Sequence, residues 1–493
     1  MKLQRRGFGI AMLCGAALIQ AASAGIAAQG ARVLTLAEAV DEALTKNDRL
    51  VNQHDTTTQA DLGLRLARNT FRPKVTPNIF GSFGSTDVSS QTYRVDVSQK
   101  IVTGTELRLS TGTVSAQIPD ALGGPGSDVL FYNADTTLTL TQPLLRGFGR
   151  SVARRGLTSA EVRRDEAGRQ QTLAEQQVTV EVAAAYYRVV SQQAFVEVAT
   201  QSLQRSRRLR DASEAKLDAG LVSQLDVLRS QQLVAQAEIQ LFDAQSGVED
   251  ARDRLSFLMG RPSDQPFDVQ ADIPRPGTEP IDVSNATSIA IANRLDLKSR
   301  VAASTDADNQ VRFSRNQLLP QVDVNFALTR RETAKTFRNS FGLDGYQFAT
   351  FFTIAMPVDR TAQQVDYQSA VLDRDRRRRE IATLERQIAD DVKLAVRERD
   401  RMVRGVLASE TSVEIGRREL EVAELRYQNG LSNNLDVVTA ESGLLAAEGR
   451  RIQALADAAV ARLRLRALLG VLDPRADVEG STAVLPKASN LEQ

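Results

Sequence analysis

The stretch LDAGLVSQLDVL, residues 217–228, returns 210 positions later as YQNGLSNNLDVV, residues 427–438. The match extends without a gap over 207–260 and 417–470, and the front ends of the two units align at an offset of 247 residues. A duplicated segment of this length fixes the architecture before any single motif does. The sequence therefore predicts two copies of one structural unit.

The chain consists of the two repeats, a linker between them and a segment at each end. The first repeat covers 25–260 and the second 283–470, with a tail at 471–493. Between the repeats, 261–282 holds five of the chain's 14 prolines and is predicted to be a linker. Residues 1–24 precede the first repeat.

Each repeat contains a long window without proline, 144–261 and 358–473. Apolar residues recur there at steps of three and four, a pattern typical of coiled coils. Gly220 and Gly430 interrupt the windows, as glycine does where a helix ends and the chain turns. Each repeat is expected to hold two shorter helices stacked beside one long helix of roughly 105–110 Å. The predicted helices are 36–71, 147–219 and 223–259, then 283–318, 359–429 and 433–469.

Between the helical segments the periodicity changes to two. Apolar and polar residues alternate at 95–98, 107–110, 138–141, 322–326 and 352–356. The segments around these stretches, 71–148 and 326–352, contain 14 of the 24 Phe and Tyr residues of the chain. Alternation with aromatic enrichment is typical of strands that face lipid on one side and water on the other, although a soluble β-sandwich would show alternation too.

The number of strands has its own consequence. Four to six strands are too few to close a barrel, for which about eight are needed, and an open edge in lipid leaves backbone groups unsatisfied. Closure would require other subunits. The excess of residues between Pro73 and Pro143 suggests an added hairpin near 93–115, either within the barrel or as an external loop.

Composition excludes several protein classes. The chain has 62 Lys and Arg against 61 Asp and Glu, whereas nucleic-acid binders usually carry a basic excess. It has one Cys, Cys14, and one His, His54, too few for disulfide frameworks or Cys/His zinc sites. We therefore expect no enzymatic activity, no cofactor, no metal and no nucleic-acid partner.

The N-terminus looks like an export signal. Arg5 and Arg6 precede the uncharged run 7–28, which contains a small-residue cleavage pattern at 22–24. Residues 1–24 are predicted to be a signal peptide, which would place the mature chain outside the cytoplasm. A membrane anchor is the alternative, because 22 uncharged residues nearly span a bilayer.

Several short motifs lie in order on this framework. QPLLRGFG at 142–149 leads into a long helix, AGL and NGL mark the turns at 219–221 and 429–431, and LDV follows at 225–227 and 435–437. In this arrangement the chain resembles the TolC-like outer-membrane efflux protein family. The resemblance implies an α+β membrane protein in which duplicated long coiled-coil hairpins form a periplasmic α-helical tunnel.

The resemblance also implies an assembly. Members of the family are homotrimers whose transmembrane strands form one shared 12-stranded β-barrel in outer-membrane lipid. The tunnel tip docks a periplasmic adaptor, or membrane fusion, protein that connects it to an inner-membrane transporter. The chain would thus be the outer-membrane channel of a tripartite efflux or type I secretion system. A non-channel periplasmic adaptor or coiled-coil scaffold is the alternative.

The family carries a gate at this tip. The matching constriction residue is Asp436, which three chains would arrange in an acidic ring that favours cations. A second acidic residue often follows, but Thr439 stands here. A simple helix-capping role for Asp436 and for Asp226 is the alternative.

The family also links neighbouring hairpins at the tip. Asp226 and Tyr427 match two partners of that lock, and Ser432 replaces the basic third partner. Turn residues match the adaptor-contacting positions of the family, namely Gly220, Leu221, Gly430 and Leu431.

Overall fold

The computed structural model describes residues 33–82, 89–118, 129–337 and 345–478. The predicted signal peptide and the end of the predicted tail lie outside these residues. The helices are α1 Leu36–Lys46, α2 Asp48–Asn69, α3 Arg150–Ala153, α4 Arg155–Asp218, α5 Gln224–Met259, α6 Val283–Asn293, α7 Leu295–Gln317, α8 Thr361–Gln428 and α9 Asn434–Leu468. The strands are β1 Val33–Leu34, β2 Lys74–Ser82, β3 Ser89–Lys100, β4 Glu106–Ile118, β5 Val129–Pro143, β6 Asp268–Val269, β7 Gln321–Ala334 and β8 Gln347–Ala355.

Two long helices run the length of the helical part. α4 has 64 residues and α8 has 68, which correspond to about 96 and 102 Å at 1.5 Å per residue. α5 and α2 both pack along α4, whereas α9 and α7 pack along α8. The buried positions of α4 are mainly small residues, which let neighbouring helices approach closely. The arrangement is the duplicated one that the repeat predicts.

Three predicted helices differ from the structure. The predicted helices 36–71 and 283–318 are each broken into two, and the predicted helix 147–219 begins at Arg150 and is interrupted at Arg154. Asn47 adopts an extended backbone, caps α2 through a 3.0 Å bond to the Arg49 amide, and donates 2.7 Å to the Leu258 carbonyl of α5. Arg294 has the same extended conformation between α6 and α7. The two breaks lie next to the C-terminal ends of α5 and α9. The helix that follows α5 end to end is therefore α2, and the helix that follows α9 is α7.

Glycine makes these end-to-end approaches possible. Gly260 follows α5 with φ +70°, and a Cβ there would lie 2.5 Å from the Lys46 carbonyl oxygen. Gly470 follows α9 with φ +71°, and its Cβ would lie 2.9 Å from the Asn293 carbonyl carbon. The same close approach therefore occurs in both repeats.

A six-stranded antiparallel sheet lies at one end, in the order β2-β3-β4-β5-β7-β8. The alternating segments of the sequence fall within β3, β4, β5, β7 and β8, with only the last residue of 352–356 outside. The resemblance implies four strands from each chain, whereas the sheet of the described residues has six. The added hairpin β3–β4 is inserted between β2 and β5, because its backbone pairs with both neighbours.

The predicted linker is attached to the helical body. Within it, β6 pairs in parallel with β1, with Leu34 opposite Val269. The Tyr186 hydroxyl of α4 shares its proton between the Leu34 and Gln270 carbonyl oxygens, both at 3.1 Å. Burial raises the pKa of Tyr186 to about 12. This contact holds the start of the first repeat and the linker against the long helix.

Candidate functional site

The two helical hairpins end in matching turns. Gly220 and Gly430 each have φ +70°. The Leu221 amide donates 2.8 Å to the Lys216 carbonyl, and the Leu431 amide donates 2.9 Å to the Arg426 carbonyl. These bonds satisfy carbonyls that the helix ends leave free, and glycine adopts the left-handed conformation without a Cβ clash.

The turn leucines point outward. Leu221 is 73% exposed and Leu431 is 77% exposed. One large apolar side chain at the outermost turn of each repeat is thus exposed, and together the two form a surface that a partner could cover. The family resemblance implies adaptor contact for Gly220, Leu221, Gly430 and Leu431, and that role stays a prediction.

Asp226 and Asp436 occupy equivalent positions but differ in their contacts. Asp226 is buried in a capping box, where its carboxylate accepts from the Ser223 amide at 3.2 Å and from the Ser223 hydroxyl at 2.8 Å. In the second repeat Asn433 caps α9 by accepting 3.1 Å from the Leu435 amide. Asp436 is exposed, and its carboxylate has neither a hydrogen bond nor an ion pair within the described residues.

This difference bears on the choice between the capping role and the predicted gate role. Asp226 serves the helix end on which it lies, in line with the capping interpretation. The Asp436 carboxylate makes no such bond, so its charge is available to an aqueous space. Thr439 lies one turn farther along α9 and is exposed, with its hydroxyl donating 2.8 Å to the Leu435 carbonyl. Thr439 therefore adds no charge next to Asp436.

The predicted lock residues have other partners within one chain. The Tyr427 hydroxyl lies 2.8 Å from the Ser213 hydroxyl of α4, so Tyr427 joins the second hairpin to the first. Ser432, at the position of the basic partner, has a buried hydroxyl without a hydrogen bond among the described residues. A link between Asp226 and Tyr427 stays a prediction.

Lys216 supplies a cation that the sequence argument did not find. Its ammonium group donates to the Tyr427 carbonyl and lies 4.1 Å from the centroid of the Tyr427 ring. It thereby neutralises the carbonyl end of α8 and forms a cation–π contact. A lysine in the last turn of α4 would ordinarily be expected to serve α4 itself, so only the packing of the two hairpins shows this role.

A second bond joins the hairpins at the turn. The Asn434 side-chain amide donates to the Asp226 backbone carbonyl, and Asn434 is fully buried. We call Ser213, Lys216, Tyr427 and Asn434 the tip clasp. All its bonds run between the first hairpin, α4 and α5, and the second, α8 and α9.

A buried ion pair lies farther from the turns. Arg205 of α4 donates to both carboxylate oxygens of Glu441 in α9, at 2.8 and 2.9 Å, and the Ser202 hydroxyl donates 2.6 Å to the same carboxylate. Only 3% of the Glu441 side chain is exposed. Burial acts to lower the pKa of Arg205, but the bonds to Glu441 outweigh it and raise that pKa. The pair reinforces the contact between α4 and α9.

No cluster of His, Cys, Asp and Glu suited to a metal ion occurs among the described residues. Their helices also lack any segment with the length and apolar character needed to cross a membrane.

The fold is similar to those of known outer-membrane channels. It matches the transmembrane channel protein CusC with a TM-score of 0.67 and 14% identity, over 90% of this chain and 95% of that chain. It matches the outer membrane protein VceC of Vibrio cholerae with a TM-score of 0.65 and 18% identity, over 88% of this chain and 96% of that chain. The open-state MtrE outer membrane channel of Neisseria gonorrhoeae gives a TM-score of 0.64 and 18% identity, over 88% of this chain and 89% of that chain.

Sequence comparison identifies the family. No curated protein matches the chain. The family model described as outer membrane efflux protein matches residues 39–261 and 286–471, which include both repeats. This result favours a channel over the adaptor or scaffold alternative. The chain therefore belongs to the outer membrane efflux protein family and is the outer-membrane component of an efflux system.

Proposed function

We propose that three copies of the chain assemble into a duct that leads from the periplasm through the outer membrane. The observation that carries the proposal is the open sheet. Its edge strands β2 and β8 have nine residues each, enough to span the hydrocarbon core when tilted, and each lacks a partner on its outer side within the described chain. In lipid such edges must pair, and other copies of the chain supply matching edges.

The two faces of the sheet support this placement. Register puts Leu107, Leu109, Leu138, Leu140 and Leu328 on one face. It puts Arg108, Ser110, Thr137, Thr139 and Thr141 on the other. The first face suits lipid and the second an aqueous lumen.

The helical hairpins form the periplasmic part of the proposed duct. Three tips, each held by its clasp, narrow the inner end, and the exposed Asp436 carboxylates form an acidic ring there. Such a ring attracts cations in a confined aqueous pore. The exposed Leu221 and Leu431 face a periplasmic adaptor protein, which connects the duct to an inner-membrane transporter. The duct performs no chemistry, and the transporter supplies the energy.

The gate can be tested with Asp436→Asn in planar bilayers. The neutral ring should reduce the cation preference of the channel, because three carboxylate charges are removed from the pore. Asp226→Asn is the matched control. It alters a capping box and should lower the stability of the tip by about 1 kcal/mol while leaving ion selectivity unchanged. Unchanged conductance and cation preference in Asp436→Asn would remove this residue from the gate.

A further inference from the structure

The β3–β4 hairpin is an integral part of the sheet. β3 pairs with β2 from Lys74 opposite Ser98 to Ser82 opposite Ser90. On its other side the hairpin pairs with β5 through β4, which is matched from Glu106 to Ile118. The backbone of the hairpin is thus paired on both sides, as in the centre of a sheet.

The turn of the hairpin is fitted to the junction between sheet and helices. Gly104 has φ +101°, and a Cβ there would lie 2.5 Å from the Gly147 carbonyl oxygen. The Gly149 amide donates 3.0 Å to the Thr103 carbonyl. These contacts fix the turn against the segment that leads into α3 and α4. An external loop would have no need of this fit.

A side-chain contact crosses the added strands. The Arg94 guanidinium of β3 lies 3.2 Å from the Asp135 carboxylate of β5. Gly112 of β4 stands between them in register, opposite both residues. A Cβ on Gly112 would lie 2.8 Å from the Tyr93 carbonyl oxygen, so the strand is closely packed at this point. The missing side chain lets the ion pair form on the polar face.

The added strands also keep the two-faced pattern. Val95 and Val97 of β3 share the apolar face with Leu109 of β4, while Asp96 lies on the polar face with Ser110. The hairpin therefore has both a lipid-suited face and a lumen-suited face. It meets the chemical requirement of a wall strand.

We propose that the β3–β4 hairpin is part of the wall, so that three chains close an 18-stranded barrel where the family pattern has 12. The proposal rests on the trimeric duct proposed above. Barrel diameter grows roughly linearly with strand number, so the outlet is about 1.5-fold wider. At about 4.8 Å between strands and a tilt near 40°, the backbone-to-backbone diameter is about 36 Å against about 24 Å.

The inner diameter of the barrel determines which class of cargo can pass through the outlet. Side chains take roughly 5 Å from each side, which leaves about 26 Å, against about 14 Å for 12 strands. An α-helix with its side chains is about 10–12 Å across, so the wider wall admits a helical hairpin where the narrower one admits a single helix. The wall of the outlet thus accommodates a partly folded polypeptide, and the tip is the narrower part of the duct.

Disulfide crosslinking tests the position of the hairpin. In a Cys14→Ser background, which removes the only natural thiol, two cysteine pairs are introduced on the polar face. They are Thr76→Cys with Asp96→Cys, and Ser110→Cys with Thr137→Cys. Directly opposed residues lie within disulfide reach, so both pairs should close within one chain. The control Thr76→Cys with Thr137→Cys spans three strand intervals, about 14 Å, and should stay reduced.

The trimer provides the second measurement. Electron cryomicroscopy of the purified assembly should show 18 strands in the barrel cross-section, and the mass of the intact assembly should correspond to three chains. A trimer with 12 strands, or closure of the control pair within one chain, would overturn the wide barrel and leave the duct intact. Absence of a trimer would overturn both proposals.

Discussion

Lys216 is the most informative residue of the tip clasp to change. Lys216→Met keeps a long, flexible side chain but removes the charge that contacts the Tyr427 carbonyl and ring. A hydrogen bond to a charged group is worth about 1.5–3 kcal/mol, and a cation–π contact about 0.5–1 kcal/mol at an exposed site. Because the ammonium is partly solvated, we expect a net loss of about 2 kcal/mol from the clasped state.

The lost free energy should raise the fraction of channels that are open. If opening separates the two hairpins, about 2 kcal/mol corresponds to a roughly 30-fold higher ratio of open to closed channels. Single-channel recording in planar bilayers measures the open probability. Lys393→Met is the matched control, since within the described part of the chain Lys393 forms just an exposed pair with Asp390, at 3.5 Å along α8. Such pairs contribute about 0–1 kcal/mol, so the control should behave as the unmodified protein does.

A double-mutant cycle isolates the ring contact. Tyr427→Leu removes the ring but keeps the carbonyl, so the coupling between it and Lys216→Met should be about 0.5–1 kcal/mol. Tyr427→Phe loses only the bond to the Ser213 hydroxyl and should couple weakly. An intact Lys216→Met trimer whose open probability equals that of the control would refute the clasp as a barrier to opening.

Three further predictions concern stability. Glu441→Leu should lower the free energy of unfolding by about 3–5 kcal/mol, because it leaves the Arg205 charge buried and unpaired. The double variant Arg205→Met with Glu441→Leu should recover most of that stability in thermal unfolding. Equal losses of stability in the single and the double variant would contradict the ion-pair account. Gly260→Ala should lower the unfolding temperature more than Gly430→Ala does. Both glycines have φ near +70°, but of these two only Gly260 would place its new Cβ 2.5 Å from a carbonyl oxygen. Equal decreases in unfolding temperature would count against this close approach. Tyr186 should titrate with a pKa of about 12 in the folded protein. Because this pKa is raised above the usual value of about 10, the stabilising contribution of Tyr186 is complete below pH 10 and is lost between pH 10 and 12, at up to about 1.4 kcal/mol per pH unit. Tyr186→Phe should remove this loss of stability at alkaline pH, and an absorbance titration that finds a pKa near 10 would contradict the prediction.

The sequence predicts the elements whose signals are local. The helical hairpins follow from periodicity, absence of proline and a glycine at each turn, and the observed α5 and α9 differ from the predicted helices by one residue at one or both ends. The strands follow from alternation because each has one apolar and one polar face. The repeat itself identifies the equivalent positions Asp226 and Asp436.

Features that depend on packing between distant segments were not predictable. The breaks at Asn47 and Arg294 arise where another helix ends against them, and the surrounding sequence shows no proline to announce them. Lys216 was missed because its partner lies more than 200 residues away. The different contacts of Asp226 and Asp436, by contrast, have a local cause, because Ser223 precedes the first and Asn433 the second.

Counting the chains in the membrane-extracted protein tests the central claim most directly. Native mass spectrometry of the channel released from detergent or nanodiscs should give a mass of three chains, because one six-stranded sheet cannot close its own edges. The same sample should conduct ions in planar bilayers. A conducting single chain, or a chain that stays monomeric in buffer without detergent, would contradict the account.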